Sequence, residues 1–140
     1  MLRENSAGAV IFRNEGGKRY YLLLHYEAGH WDLVKGNLEK GEEERDAVIR
    51  EAKEETGIDF ITFVPGFRDR ISYMYKRNGD EIHKEVVFYL AETKKSEVKI
   101  SWEHRAYQWL AYEKALDRIT YDTAKKILER AENFLRLHGQ

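Results

Sequence analysis

Apolar residues recur along this chain with two periods, and the periods mark its elements. Residues 6–12 (SAGAVIF) and 20–26 (YYLLLHY) are short apolar runs of the kind that form buried strands. Gly16-Gly17 between them is a turn signal, so the two runs are expected to pair as a hairpin. Residues 28–36 (AGHWDLVKG) read as a loop or short strand, and residues 59–68 as a strand interrupted near Pro65-Gly66. Residues 70–77 alternate, with Ile71, Tyr73 and Tyr75 on one face, and Asn78-Gly79 is a strong hairpin signal. Residues 81–92 place Ile82, Val86, Phe88 and Leu90 on one face and Val87, Tyr89 and Ala91 on the other. That predicts a strand covered on both sides. A charged turn at 94–97 leads to a short strand at 98–100, a further strand at 106–111 and a short helix at 112–116.

Two stretches carry the helical period. Ala124, Ile127, Leu128, Ala131, Phe134 and Leu135 form the apolar face of a last helix closed by Gly139. The other stretch is residues 36–58 (GNLEKGEEERDAVIREAKEETGI), predicted helical from about Glu42. Gly41 would cap it, Glu42, Glu43 and Glu44 would suit the positive end of its dipole, and Gly57 would end it. Val48, Ile49 and Ala52 are predicted to pack on a core. The order of strands, helix, strands, helix argues a mixed β-sheet between helices, an α+β fold with an α/β/α sandwich.

The chemistry on the first helix is acidic. Glu51, Glu54 and Glu55 stand at i, i+3 and i+4 and share one face, with Arg50 at its flank to orient a carboxylate. Three clustered carboxylates repel unless a cation sits among them, and hard cations such as Mg²⁺ take such oxygen ligands together with phosphates. Taken alone, the three glutamates suit a solvated acidic face equally well.

Composition narrows the function. The 140 residues are expected to form one domain, 1–140, and a net charge of −1 supplies no basic field for nucleic acid. The chain has no cysteine, which excludes disulfides and thiolate metal sites and makes a cytoplasmic location the expectation. No apolar run approaches the roughly 18 residues of a membrane span, and no signal-peptide pattern is seen.

The 36–58 stretch resembles the Nudix box, G-x5-E-x7-R-E-U-x-E-E-x-G-U with U apolar. The matches are Gly36, Glu42, Arg50, Glu51, Ala52, Glu54, Glu55, Gly57 and Ile58. The resemblance implies the same sandwich fold and a Mg²⁺-dependent hydrolase (Mn²⁺ able to substitute) of nucleoside diphosphates linked to another group. It also implies that Glu51 and Glu55 are the main metal ligands, aided by the Gly36 carbonyl. Glu54 would bind a second metal or deprotonate water.

The segments GHWDLVKG (29–36), GFRDRISYMYKR (66–77), VVFYLAE (86–92) and SWEHRAYQWL (101–110) resemble asymmetrical diadenosine tetraphosphate hydrolases within that family. Val34 departs from the proline common there, a change that would only alter loop stiffness. The resemblance implies a dinucleoside polyphosphate as small-molecule substrate, cut to ATP and AMP. Glu103 becomes a candidate fourth metal ligand or general base. His30, Lys35 and Lys84 become candidate phosphate contacts, and Tyr73 and Tyr121 candidates for holding adenine. Phe88 is the weaker adenine candidate and reads as core, and His104 reads as structural or functional alike. Nucleic acid and membrane are not expected partners, and the chain is expected to be a monomer or a homodimer. The rival readings are another Nudix activity, on RNA 5′ ends or ADP-ribose, and a non-catalytic nucleotide-binding module.

Overall fold

A computed structural model describes residues 2–139. The first strand, β1 (Leu2–Glu15), is the spine of a seven-stranded mixed sheet. β2 (Lys18–Tyr26) returns from the Gly16-Gly17 turn but pairs with β1 only from Phe12 to Glu15. Beyond that the two strands take different partners. Two short strands serve them: β3 (Trp31–Asp32) pairs with β2, and β4 (Val34–Asn37) pairs with β1 from Ser6 to Ala9. The divergence carries residues 34–37 to the middle of the sheet, directly before the acidic helix α1 (Glu44–Thr56).

β5 (Thr62–Arg77) and β6 (Asp80–Glu92) form a hairpin at Asn78-Gly79, both with φ positive, as a tight two-residue turn requires. β6 runs parallel to β1 from Leu2↔Ile82 to Phe12↔Glu92. β7 (His104–Leu110) covers the outer edge of β2. Two helices, α2 (Tyr112–Arg118) and α3 (Asp122–Leu137), follow. Alternation along β1 divides the core. Val10 and Phe12 join Phe88, Ile127 and Leu128 beneath α3, whereas Ala7, Ala9 and Ile11 join Ala47, Val48 and Ala52 beneath α1. Each fully buried Leu, Ile or Phe contributes about 1.5–3 kcal/mol. The sheet therefore lies between helical layers, the expected α+β sandwich. No helix of the described residues is long and apolar enough to cross a membrane.

Four local expectations are corrected. Helix α1 begins at Glu44, and Glu43 rather than Gly41 stands at its N-cap. Glu42 stays outside because its N–H bonds the Glu39 carbonyl and its carboxylate accepts from Arg50. Ile49 is 44% exposed, and Ala47 takes the inward place beside Val48 and Ala52. Residues 59–68 and 70–77 merge into the single strand β5, with a register shift between Phe63 and Arg68 that accommodates Pro65. Residues 98–100 form no strand: Lys99 and Ser101 donate their N–H groups to the Thr56 and Glu55 carbonyls instead, so this segment crosses the end of α1. Phe88 is fully buried, in accord with its reading as core.

Candidate active site

The acidic face of α1 is organised by one guanidinium. Arg50 Nε donates to Glu42 Oε2 at 2.8 Å and Nη2 to Glu42 Oε1 at 3.0 Å, a bidentate pair. Nη2 also reaches the Asn37 carbonyl at 3.0 Å. Nη1 donates to Glu51 Oε1 at 2.7 Å and to Glu54 Oε2 at 3.2 Å. Hydrogen bonding from Arg50 holds the Glu42 carboxyl down at about 2. Arg50 thus ties the loop before the helix to the helix and turns Glu54 outward, with 58% of its side chain exposed. Gly57 closes α1 at φ +73°, its N–H on the Lys53 carbonyl at 2.9 Å.

Glu55 lies on the other side of that face. It is 5% exposed and its Oε2 has no hydrogen-bond partner. Burial first, then the charges of Glu51 and Glu103, push its carboxyl up to about 9, against a hydrogen bond from the Lys35 backbone. Burial also raises Glu51, partly offset by Arg50. Gly36 packs directly on Glu51, and a Cβ at position 36 would collide with that carboxylate. Gly36, Glu51, Glu55 and Glu103 line one cleft of about 350 Å³, together with Ser6, Tyr26, Lys35, Asn37, Glu39, Arg50 and Lys84.

Among the described residues, no three acidic or imidazole side chains are drawn together closely enough to hold an ion as they stand. The chemistry of the lining nevertheless suits a hard divalent cation. Four carboxylates (Glu39, Glu51, Glu55 and Glu103) line one space, one has an orphaned buried oxygen, and a backbone without a Cβ adjoins another. A cation there would offset the burial that pushes the Glu55 carboxyl up.

A second cleft of about 510 Å³ is lined by His30, Asp32, Lys35, Ile71, Tyr73, Tyr121 and the first residues of α3. Its rings are supported from behind. His30 stacks on Tyr26 at 4.7 Å and meets Tyr121 at 5.5 Å. Burial lowers the His30 imidazole, so this stack favours the uncharged ring. Lys35 Nζ pairs with Asp32 at 3.2 Å and lies 5.8 Å from the Tyr73 centroid. Burial opposes the Lys35 charge, but Asp32 and Tyr73 outweigh it and hold the ammonium above its ordinary value. Lys35 lines both clefts.

A NUDIX domain model matches residues 2–131. The chain belongs to the Nudix family. Among Nudix relatives it is similar to the bis(5'-nucleosyl)-tetraphosphatase [asymmetrical] of Sus scrofa, with 34% identity over 93% of this chain and 94% of that one. It is similar at 29% identity to an RNA pyrophosphohydrolase of Nitratiruptor sp., over 91% of each chain. The crystal structure of a C. elegans Ap4A hydrolase binary complex superposes with a TM-score of 0.83. That pair shares 31% identity over 95% of this chain and 98% of the other.

In this Nudix domain the residues singled out from sequence fall into three groups. His30, Lys35, Tyr73 and Tyr121 share the aromatic cleft. Gly36, Glu51, Glu55, Glu103, Lys35 and Lys84 share the acidic one. Glu54 joins neither, and Glu42, Arg50 and Gly57 shape the helix. Lys84 is engaged by Asn37 Oδ1 at 2.9 Å and Glu4 Oε1 at 3.5 Å. Sequence reasoning missed Ser6, Tyr26, Asp32 and Asn37. Ser6 and Asn37 meet through the β1–β4 register, the Ser6 hydroxyl donating at 3.0 Å. Asp32, as the partner of Lys35, was open to discovery from its i, i+3 spacing; the other three carry no local signal.

Proposed function

We propose that this Nudix domain hydrolyses dinucleoside polyphosphates asymmetrically, with water attacking a bridging phosphate of diadenosine tetraphosphate. The P–O bond to the AMP or ATP portion breaks, that portion leaves as a phosphate, and the incoming water gives up a proton. The observation that carries the reading is that Lys35 lines both the acidic and the aromatic cleft. The full-length likeness to asymmetrical tetraphosphatases supports it.

Glu51, Glu55 and the Gly36 carbonyl would hold a divalent cation, Mg²⁺ or Mn²⁺. When bound, such a cation neutralises phosphate oxygens and polarises water. Glu103 is assigned as general base, because it is exposed and lines the acidic cleft. Glu54, which is exposed and does not line the acidic cleft, is left a supporting ligand role at most. Lys35 and His30 hold phosphate oxygens, and Lys84 does so from the far wall. Tyr73 and Tyr121 take the adenine, where stacking contributes about 1–3 kcal/mol per base.

The test is product analysis by anion-exchange chromatography, with Mg²⁺ and separately diadenosine tetraphosphate, triphosphorylated RNA and ADP-ribose. Equal ATP and AMP from the first, with little from the others, is expected. Two ADP would mean a symmetrical cut and a wrong substrate pose. Turnover of RNA or ADP-ribose alone would discard the adenine and phosphate assignments.

A further inference from the structure

We infer that His104 is a positioning residue that fixes Glu55 in the orientation a cation requires, through an Nε2–H aimed at Glu55 Oε1. The inference rests on the reading of Glu55 as a cation ligand. His104 opens β7, and its side chain is wholly buried. Its Nδ1 lies 3.0 Å from the Ser101 hydroxyl. That hydroxyl also accepts, at 3.4 Å, the N–H of Glu103. The tautomer inferred carries its ring proton on Nε2, with the Ser101 hydroxyl donating to Nδ1.

His104 Nε2 and Glu55 Oε2 are both buried polar atoms without a hydrogen-bond partner, and they belong to neighbouring side chains. Nε2 stands 3.7 Å from Glu55 Oε1, about 0.7 Å beyond an ordinary N–H···O bond. The opposite tautomer would leave no N–H facing Glu55.

The ring cannot swing away. The Tyr26 ring packs against it in a T-shaped contact at a centroid distance of 4.4 Å, and the Tyr26 hydroxyl is anchored on the Leu33 carbonyl at 2.8 Å. Ser101 is anchored to the same glutamate from the other side, its N–H on the Glu55 carbonyl at 3.2 Å. The segment that carries Glu103 is thereby tied to the backbone of Glu55. Two orphaned groups cost stability in the free protein. A donor from Nε2 to Oε1 would hold that oxygen and leave the unpartnered Oε2 to a cation. Neutral His104 then acts as a donor behind the ligand carboxylate, the arrangement by which outer groups orient metal ligands.

The test reads Mn²⁺ affinity by electron paramagnetic resonance without substrate, and the unfolding midpoint Tm in EDTA. His104→Phe keeps a ring against Tyr26 but removes the donor. His104→Gln sets an amide N–H near the place of Nε2. The Phe variant is expected to bind Mn²⁺ about 10–100-fold more weakly, with Tm in EDTA unchanged or raised. The Gln variant is expected to stay within about threefold of wild-type affinity although its Tm falls through lost packing. This opposite movement distinguishes orientation from packing. Wild-type affinity in the Phe variant, or parallel losses of affinity and Tm in both variants, would overturn the inference. Glu55→Gln tests the underlying reading separately: unchanged Mn²⁺ affinity there would remove Glu55 as a ligand, and the role of His104 with it.

Discussion

Two glutamates in this molecule are buried to the same degree and treated in opposite ways. Glu55 on α1 and Glu132 on α3 are 5% and 4% exposed. Glu132 accepts from the Tyr21 hydroxyl at 2.5 Å, from Arg19 at 3.0 Å and from Arg136 at 2.5 Å. Burial pushes its carboxyl up, but those three donors outweigh burial and hold it below the usual range. Glu55 has no basic side chain of comparable effect, and burial leads the rise of its carboxyl to about 9. One buried charge is satisfied within the fold and holds structure together. The other has no such partners, and that difference, rather than burial, marks Glu55 as the candidate functional carboxylate.

The largest effect that would sharpen the contrast is on stability. Glu132→Ala removes the acceptor of the Tyr21 hydroxyl and breaks a buried ion-pair network. It should cost about 3–5 kcal/mol and lower Tm by roughly 10 °C or more, with kcat of the folded enzyme preserved. A loss of activity without loss of stability would break the comparison. Glu55→Gln should behave in the reverse way. Turnover should fall by about 100-fold or more, the scale of one charge-stabilising group. In EDTA its Tm should equal or exceed that of wild type, because a desolvated carboxyl has been replaced by a neutral amide of the same shape. Undiminished turnover in this variant would remove the acidic cleft from the mechanism.

The contrast also marks how far the sequence could be read. The acidic face of α1 was legible because 3.6-residue spacing alone puts Glu51, Glu54 and Glu55 together. The hairpins were legible because Gly16-Gly17 and Asn78-Gly79 are local signals. What spacing cannot say is which glutamate faces the cleft. That depends on Arg50 holding Glu54 out and on β4 bringing Gly36 against Glu51, contacts across residues far apart in the chain. The strand expected at 98–100 failed for a similar reason. Its N–H groups had a nearer partner in the carbonyls at the end of α1. Glu132 gave no signal at all. On an amphipathic helix a lone glutamate reads as surface, and only the approach of Arg19 and Tyr21 from β2 makes its burial tolerable.

A smaller effect separates the glutamates by pH. The Glu132 carboxyl is lowered from 4.5 in the folded state, so below that pH the unfolded chain binds more protons. Its contribution is therefore present above about pH 4.5 and is lost as the pH falls through the lowered folded value. One such proton changes stability by at most about 1.4 kcal/mol per pH unit. Chemical unfolding from pH 7 to pH 3 should show a flatter acid limb in Glu132→Gln than in wild type. Superimposable acid limbs would mean that the three donors do not hold the carboxylate ionised.

The smallest effect tests whether it is burial of the donors that makes the Glu132 site structural. Arg136 makes as short a contact as Tyr21, yet 63% of its side chain is exposed, against 13% for Arg19. Solvent screens an exposed pair and supplies water to a carboxylate that loses it, so Arg136→Ala should cost no more than about 1 kcal/mol in urea unfolding. Added salt should weaken the Arg136 contribution and spare that of Tyr21. A double-mutant cycle between Arg136→Ala and Glu132→Ala isolates the pair from its neighbours. A coupling above about 2 kcal/mol would put the exposed arginine on equal terms with the buried donors, since exposed pairs rarely exceed 1 kcal/mol. The line drawn between Glu132 and Glu55 would then have to rest on the number of donors alone, because the exposure of those donors would no longer matter.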